Sequence, residues 1–330
     1  MRAWRVHRHG APREVLQIDV IDPPDPPPGH VRIAVEAAAL NLPDDRLCRG
    51  IYALRPDLPF TPGLEAAGVV DAVGEGVETA IGTRVVAVAT LPHGSLAELA
   101  IAPEAGLYPV PENMTFAEAA AFLIAFQTGH VALHRRGALR AGETLLVHAG
   151  AGGVGSAAIQ LGVVAGANVI ATAGGPDKVA RCRAHGAHHA IDYRAEDFVA
   201  RVLEITGGHG ADVVYDPVGG EVLHGSRRCI ANEGRLLIVG FAAGEPESIR
   251  TNQVLMRNYS VVGVYMGAYS KTDSGRAFVH GVHRELLELF TAGRVKPVID
   301  HDVAFADAPA AIDDIACRRT TGKVVVRVHA

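Results

Sequence analysis

Hydrophobic positions in the first third of the chain fall in short runs of valine and alanine, as at Val31 to Val35, Gly68 to Val73 and Arg84 to Ala89. Glycine and proline separate the runs. That pattern predicts short strands and turns, so the segment up to about residue 110 reads as a β-rich domain. The stretch Asp22-Pro-Pro-Asp-Pro-Pro-Pro-Gly29 lacks the N–H groups that helix or sheet requires and reads as an extended surface connector. From Thr115 the texture changes to an alanine-rich helix over Phe116 to Arg136, with Gly137 and Gly142 as stop signals. Strands are then expected at Thr144 to His148, Asn168 to Thr172, His189 to Ile191, Ala211 to Tyr215, Gly234 to Val239 and Ser260 to Val264. Helices alternate with them at Ser156 to Val164, Asp177 to Ala184, Asp197 to Thr206 and Glu221 to Ile230.

Apolar strands separated by amphipathic helices predict a parallel sheet covered on both faces, a doubly wound α/β domain. One more helix, Phe278 to Ala292, precedes a terminal strand Val324 to Val328 that has no partner nearby in sequence. Its expected place is the β-rich N-terminal domain, which makes the α/β domain an insertion. The boundaries expected from the pattern are 1–122 and 265–330 for the two parts of the β-rich domain and 123–264 for the inserted domain.

The clearest chemical signal follows the strand ending at His148. Gly150-Ala-Gly152-Gly153-Val154-Gly155 stands between that strand and the helix from Ser156, with a second strand near Asn168. In that context the glycine pattern reads as a dinucleotide-binding loop. Gly150 is expected to make the tight turn, Gly152 to let the backbone approach a pyrophosphate, and Gly155 to let helix pack on strand. The helix N-terminus offers free N–H groups and the positive end of its dipole. The second strand ends Ala171-Thr-Ala-Gly-Gly-Pro-Asp-Lys178 and lacks the terminal acid that holds the adenosine ribose of NAD. Lys178 follows where it can meet a 2′-phosphate, so NADPH is the expected cofactor.

Composition narrows the function. The chain has 330 residues, 48% hydrophobic and 20% charged, enough for about two globular domains. Its 31 Lys+Arg against 36 Asp+Glu contain no basic block, so no nucleic-acid partner is expected. Apolar stretches such as Ala117 to Phe126 fall short of the about 20 residues of a membrane span, so no membrane partner is expected either. No apolar secretory segment follows the N-terminal charges, and four cysteines lie scattered without Cys-x-x-Cys, a pattern that fits a cytoplasmic protein. The His185, His188 and His189 group has no ordered ligand spacing, and no metal site is expected there.

Several segments together resemble the zinc-independent quinone oxidoreductases of the medium-chain dehydrogenase/reductase superfamily. They are Ala39-Leu-Asn41-Leu-Pro-Asp44, the long run Leu58 to Val77 containing Gly63-Leu64-Glu65-Ala-Ala-Gly68, Gly94-Ser-Leu-Ala-Glu98, the Gly150 to Gly155 loop, Asp216-Pro-Val-Gly-Gly220 and Gly322-Lys-Val-Val-Val326. The resemblance implies a GroES-like domain plus a Rossmann domain in a homodimer. It also implies cofactor contacts from Asn41 near the nicotinamide ribose and Thr128 at the phosphate or nicotinamide end. Gly175, Lys178 and Tyr193 are implied around the 2′-phosphate, the Gly240-Phe241 turn beside the nicotinamide, and Arg318 near the C-terminus. Zinc alcohol dehydrogenases of the superfamily carry Cys where this chain has Asn41 and His where it has Leu64. Neither an amide nor an alkyl chain replaces a thiolate or imidazole ligand, so metal-free chemistry is expected.

Without a Lewis acid the acceptor must delocalise the incoming charge itself, as a quinone or an enone does. The expected activity is hydride transfer from NADPH to a quinone or other conjugated carbonyl. The alternatives are reduction of an enoyl thioester or alkenal double bond, and NADPH binding without catalysis. Tyr52, placed as in related enoyl reductases, is the candidate proton donor, with water as the alternative source. Asn41 is expected to offer its amide to cofactor or substrate carbonyl, and Asp44 behind Pro43 to begin a short helix. Tyr265, Met266 and Tyr269 read as pocket wall or subunit interface.

Overall fold

The computed structural model describes residues 1–244 and 246–329. The chain divides into two compact units, Met1–Ile124 with Pro297–Ala330, and Ala125–Lys296.

The first unit is built on a seven-stranded sheet in the order Ile299–Ala304, Lys323–Arg327, His30–Ala39, Glu65–Val73, Arg84–Val88 and Leu107–Pro109, with Leu99–Pro103 also pairing His30–Ala39. His30–Ala39 alternates as a half-buried strand should: Val31, Ile33 and Val35 are buried, while Arg32 turns outward to an ion pair with Asp71. The terminal strand Lys323–Arg327 lies antiparallel on His30–Ala39 with Val325 opposite Ala39. The N-terminal pattern therefore finds its missing partner about three hundred residues away, as the unpaired final run requires. Trp4, Leu40, Leu47, Phe60, Phe305 and Val324 are among the side chains that fill one core of this unit.

The second unit carries a six-stranded parallel sheet in the order His189–Asp192, Asn168–Ala173, Thr144–Val147, Ala211–Asp216, Ile230–Ile238 and Ser260–Gly263. The fold is thus GroES-like plus Rossmann-like α/β. Strand order reverses between Thr144–Val147 and Ala211–Asp216, and ligands of such sheets sit at the carboxyl ends beside that reversal.

Two expectations change. Helix Asp273–Thr291 belongs to the second unit, so the chain returns to the first at Pro297 and not at residue 265. Three side-chain contacts hold it there: Gln127 Nε2 to His283 Nδ1 at 3.3 Å, His130 Nε2 to Glu285 Oε2 at 3.2 Å, and the Arg135 guanidinium over the Phe278 ring. The helix from Phe116 runs α-helical to His130 and π-helical over Val131–Arg136. At 21 residues it is long and apolar enough to cross a membrane, beyond the length read from its apolar run. Within the protein 72% of its most apolar stretch is buried, so that character fills the core. Thr115 and Glu118 close its start as a capping box.

Candidate functional site

In the second unit the residues singled out from sequence gather at the carboxyl ends of the parallel strands. The glycine loop links Thr144–Val147 to the twelve-residue helix Gly153–Val164. A Cβ at Gly155 would overlap Ala149 O, which is why only glycine allows this helix to lie so close to the strand. A Cβ at Gly152 would meet only Ala149 O, at 3.3 Å, which leaves room for a ligand to approach the backbone. The turn itself is made elsewhere than expected. Ala149 takes the positive φ of 51°, while Gly150 is small because a Cβ there would meet Ala171 and Cys182 at 2.9 Å. The N–H groups of Gly153, Val154 and Gly155 open the helix and have no helical acceptor, the usual cradle for a pyrophosphate.

The neighbouring strand Asn168–Ala173 ends without an acid, and Gly175 (φ 96°) starts the helix Pro176–Ala184 that carries Lys178 in its first turn. Tyr193 and Arg194 follow the strand His189–Asp192. Their side chains close over the Gly174-Gly175 turn: a Cβ on Gly174 would stand 2.6 Å from Tyr193 Oη and 2.9 Å from Arg194 Nε. Arg194 was not evident from sequence. Its signal is the cation directly after Tyr193, legible only once the turn is seen beneath it. Asp192 anchors the arrangement, Oδ1 accepting from Gly175 N at 2.9 Å and Arg194 N at 3.0 Å, and these N–H groups hold its carboxyl below the ordinary value. Gly240 and the half-exposed Phe241 follow Ile230–Ile238 at the same sheet end, and Thr128 is buried near the end of the helix Phe116–His130.

In the first unit Asn41 opens the helix Leu42–Cys48, and Asp44 Oδ2 accepts its backbone N–H at 2.7 Å. Asp44 therefore serves the start of that short helix, as its place behind Pro43 suggests. Burial lifts its carboxyl to about 7, against the lowering pull of the Asn41 N–H and the Lys323 ammonium. The Asn41 side chain joins a network that sequence reasoning missed. Lys323 Nζ donates to Asn41 Oδ1 and to Glu65 Oε2, each at 2.6 Å, and Asn41 Nδ2 donates to Glu65 Oε2 at 2.8 Å and Ala39 O at 3.1 Å. Glu65 Oε1 accepts from Ile124 N at 2.7 Å. The ammonium and carboxylate are desolvated together, with side-chain exposures of 6% and 0%. Both amide protons of Asn41 are thus engaged, so it has none to give a cofactor or carbonyl, and Oδ1 already accepts from the Lys323 ammonium.

Tyr52 packs half-buried on the core that contains Leu47, Cys48 and Phe60. Arg318 lies in the first unit on the left-handed turn (φ 59°) after the helix Ala308–Ala316, and so in a different unit from Lys178 and Tyr193.

Comparison with known proteins places this geometry in a family. Residues 27–112 match the alcohol dehydrogenase GroES-like domain and residues 153–280 the zinc-binding dehydrogenase domain. The chain is 38% identical over 90% of its length to the quinone oxidoreductase-like protein 2 homolog of Nematostella vectensis, spanning 81% of that protein. It is 36% identical over 96% of its length to a quinone oxidoreductase of Pseudomonas aeruginosa, spanning 97% of it. The structure of Escherichia coli quinone oxidoreductase complexed with NADPH superposes with a TM-score of 0.92 at 30% identity, covering 99% of this chain and 100% of that one.

The zinc in the domain's description does not fit the residues present. Where zinc relatives carry Cys and His this chain has Asn41 and Leu64, and both oxygens of Glu65 are already taken. The Lys323 ammonium stands 2.6 Å from the two oxygens that face it, a place where a dication would meet a like charge. Fold, loop geometry and similarity along nearly the whole chain agree: the protein is an oxidoreductase that belongs to the quinone oxidoreductase family of the medium-chain dehydrogenase/reductase superfamily.

Proposed function

We propose that this protein transfers hydride from NADPH to a quinone or another conjugated carbonyl without a metal ion. The observation that carries the reading is the closed Asn41–Glu65–Lys323 network, which leaves no ligand set for a Lewis acid in a chain that keeps an intact dinucleotide loop. An acceptor that spreads the incoming charge into its own conjugated oxygen needs no such acid. NADPH supplies the hydride when bound.

The chain's residues do the rest. The N–H groups of Gly153, Val154 and Gly155, reached across Gly150 and Gly152, hold the pyrophosphate. Gly175, Lys178 and Tyr193 serve the 2′-phosphate, joined by Arg194 from its place over the Gly174-Gly175 turn, and Arg318 near the C-terminus is a further cofactor contact. Asn41 lies near the nicotinamide ribose, Thr128 at the phosphate or nicotinamide end and the Gly240-Phe241 turn beside the nicotinamide, and Tyr52 donates the proton that follows the hydride.

The same reading includes a homodimer and a cytoplasmic setting. Leu255 and Met256, exposed by 75% and 81%, lie with half-exposed Val261 and Tyr265 beside the sheet's edge strand Ser260–Gly263, and an apolar unpaired edge invites a second copy. Cys48, Cys182, Cys229 and Cys317 are all free thiols, in keeping with a reducing compartment.

The test is NADPH oxidation with 1,4-benzoquinone, an enone and an enoyl thioester as acceptors. Turnover fastest with the quinone is expected. Turnover with the thioester alone would replace the quinone reading, and tight NADPH binding with no acceptor turned over would make this a binding protein.

A further inference from the structure

An alanine makes the turn that leads into the dinucleotide loop. Ala149 holds a φ of 51°, a left-handed backbone in which an L side chain crowds the following carbonyl, and a residue stays there only where its surroundings impose it. Its neighbours in the chain show what does so. His148 is 1% exposed, its backbone N–H donates to Tyr215 O at 3.1 Å, and its ring spans two elements. Nδ1 lies 2.9 Å from Thr172 Oγ1 near the end of the strand Asn168–Ala173, and Nε2 lies 2.8 Å from Ser226 Oγ on the helix Gly220–Cys229. Phe198 packs edge-on against the same ring, with centroids 5.1 Å apart. Beyond the turn, Gly150 N donates to Thr172 O at 2.9 Å. Thr172 therefore grips both sides of Ala149, the residue before it through the hydroxyl and the residue after it through the carbonyl.

We propose that His148 and Thr172 are positioning residues that hold Ala149 in its left-handed turn and so set the loop N–H groups for the cofactor pyrophosphate before NADPH arrives. The Ala149 carbonyl is the contact through which they act. It accepts from Gly152 N at 2.9 Å, and it is the oxygen that a Cβ on Gly155 would overlap. Rotating Ala149 out of the left-handed region would move that oxygen, and with it Gly152 and the first turn of the helix Gly153–Val164. All of these groups belong to the second unit.

The inference rests on the reading of Gly150 to Gly155 as the pyrophosphate loop, and the experiment separates the two. Dissociation constants are measured for NADPH and for 2′-AMP, which carries the 2′-phosphate but no pyrophosphate. Thr172→Val removes the hydroxyl at nearly constant volume, and His148→Leu removes the ring nitrogens. Each is expected to weaken NADPH about five- to thirtyfold, the equivalent of the strain of one left-handed alanine that the cofactor must then impose itself, and to leave 2′-AMP unchanged. Thr172→Ser keeps the hydroxyl and is expected to bind NADPH as wild type does. Glycine adopts the turn without strain, so adding Ala149→Gly to Thr172→Val is expected to bring NADPH affinity back to within about twofold of wild type. Should His148→Leu fail to fold with the Thr172 and Ser226 hydroxyls left without the ring, Thr172→Val carries the test. Wild-type NADPH affinity in folded Thr172→Val, while Gly152→Ala binds weakly, would overturn the proposal alone. So would an equal loss of 2′-AMP, or a loss that Ala149→Gly does not recover, either of which marks a general structural role. Gly152→Ala adds a methyl group that meets only Ala149 O within the protein, so unchanged NADPH affinity in that variant would overturn the loop reading and the proposal with it.

Discussion

His148, two residues before the glycine loop, makes the second unit acid-sensitive. Its ring is fully buried, with Nε2 2.8 Å from Ser226 Oγ and Nδ1 2.9 Å from Thr172 Oγ1. Ser226 spends its proton on Val222 O at 2.8 Å, so it accepts from Nε2–H, and Thr172 donates to Nδ1. Both ring nitrogens are satisfied only in the neutral tautomer. Burial, opposed weakly by Asp216, lowers the ring's pKa from 6.5 to about 4. Above pH 6.5 neither folded nor unfolded imidazole is charged and the group contributes nothing to the pH dependence. Between 6.5 and about 4 the unfolded chain binds a proton that the folded one refuses, so stability falls as pH falls and levels off below about 4. At 1.36 kcal/mol per pKa unit the loss is about 3 kcal/mol. The assay is urea unfolding from pH 7 to pH 4 for wild type and His148→Gln, whose amide does not titrate. Wild type is expected to lose about 3 kcal/mol more than the variant over that range. Parallel pH profiles for the two proteins would refute the argument. His130 and His283, both lowered by burial to about 4, act in the same direction and leave a residual acid sensitivity in the variant.

Three further outcomes are expected. If Lys178 and Arg194 hold the 2′-phosphate as proposed, Lys178→Ala and Arg194→Ala should each weaken NADPH by about tenfold or more, the loss of one charge-assisted contact, while leaving NADH nearly unchanged; equal effects on the two nucleotides in equilibrium titrations would remove these residues from that role. Gly155→Ala should lower stability by about 2 kcal/mol or more and abolish nucleotide binding, because the new Cβ overlaps Ala149 O; thermal unfolding near the wild-type temperature with intact NADPH affinity would contradict the packing account. Tyr52→Phe should reduce enone turnover about 10²–10⁴-fold with little change in cofactor affinity, and unchanged steady-state turnover would assign the proton to solvent.

Much of this protein is legible along the chain because the relevant periodicities are local. The strands Thr144–Val147 and Asn168–Ala173, the helix between them and the loop Gly150 to Gly155 are contiguous, and each needs only its neighbours to be recognised. Even the strand end without an acid could be read in order. Arg194 could not: its meaning depends on the strand His189–Asp192 lying parallel beside Asn168–Ala173, which sets the guanidinium over Gly174. The return point at Pro297 was likewise hidden, since the helix Asp273–Thr291 is amphipathic wherever it docks and its contacts with Gln127, His130 and Arg135 come from residues about 150 positions earlier in the chain.

The Asn41 network shows the limit most sharply. The family resemblance in the sequence set Asn41 and Leu64 at the positions where zinc relatives carry their ligands. What replaces those ligands was decided by strand register. Lys323 is 258 residues from Glu65 and 282 from Asn41, and only the antiparallel pairing of Lys323–Arg327 with His30–Ala39 brings its ammonium to both. A shift of one residue would turn the lysine to the opposite face, because side chains alternate along a strand. Hydrophobic periodicity tells a strand which face to bury. Which buried charge meets which partner is settled only when the strands have paired.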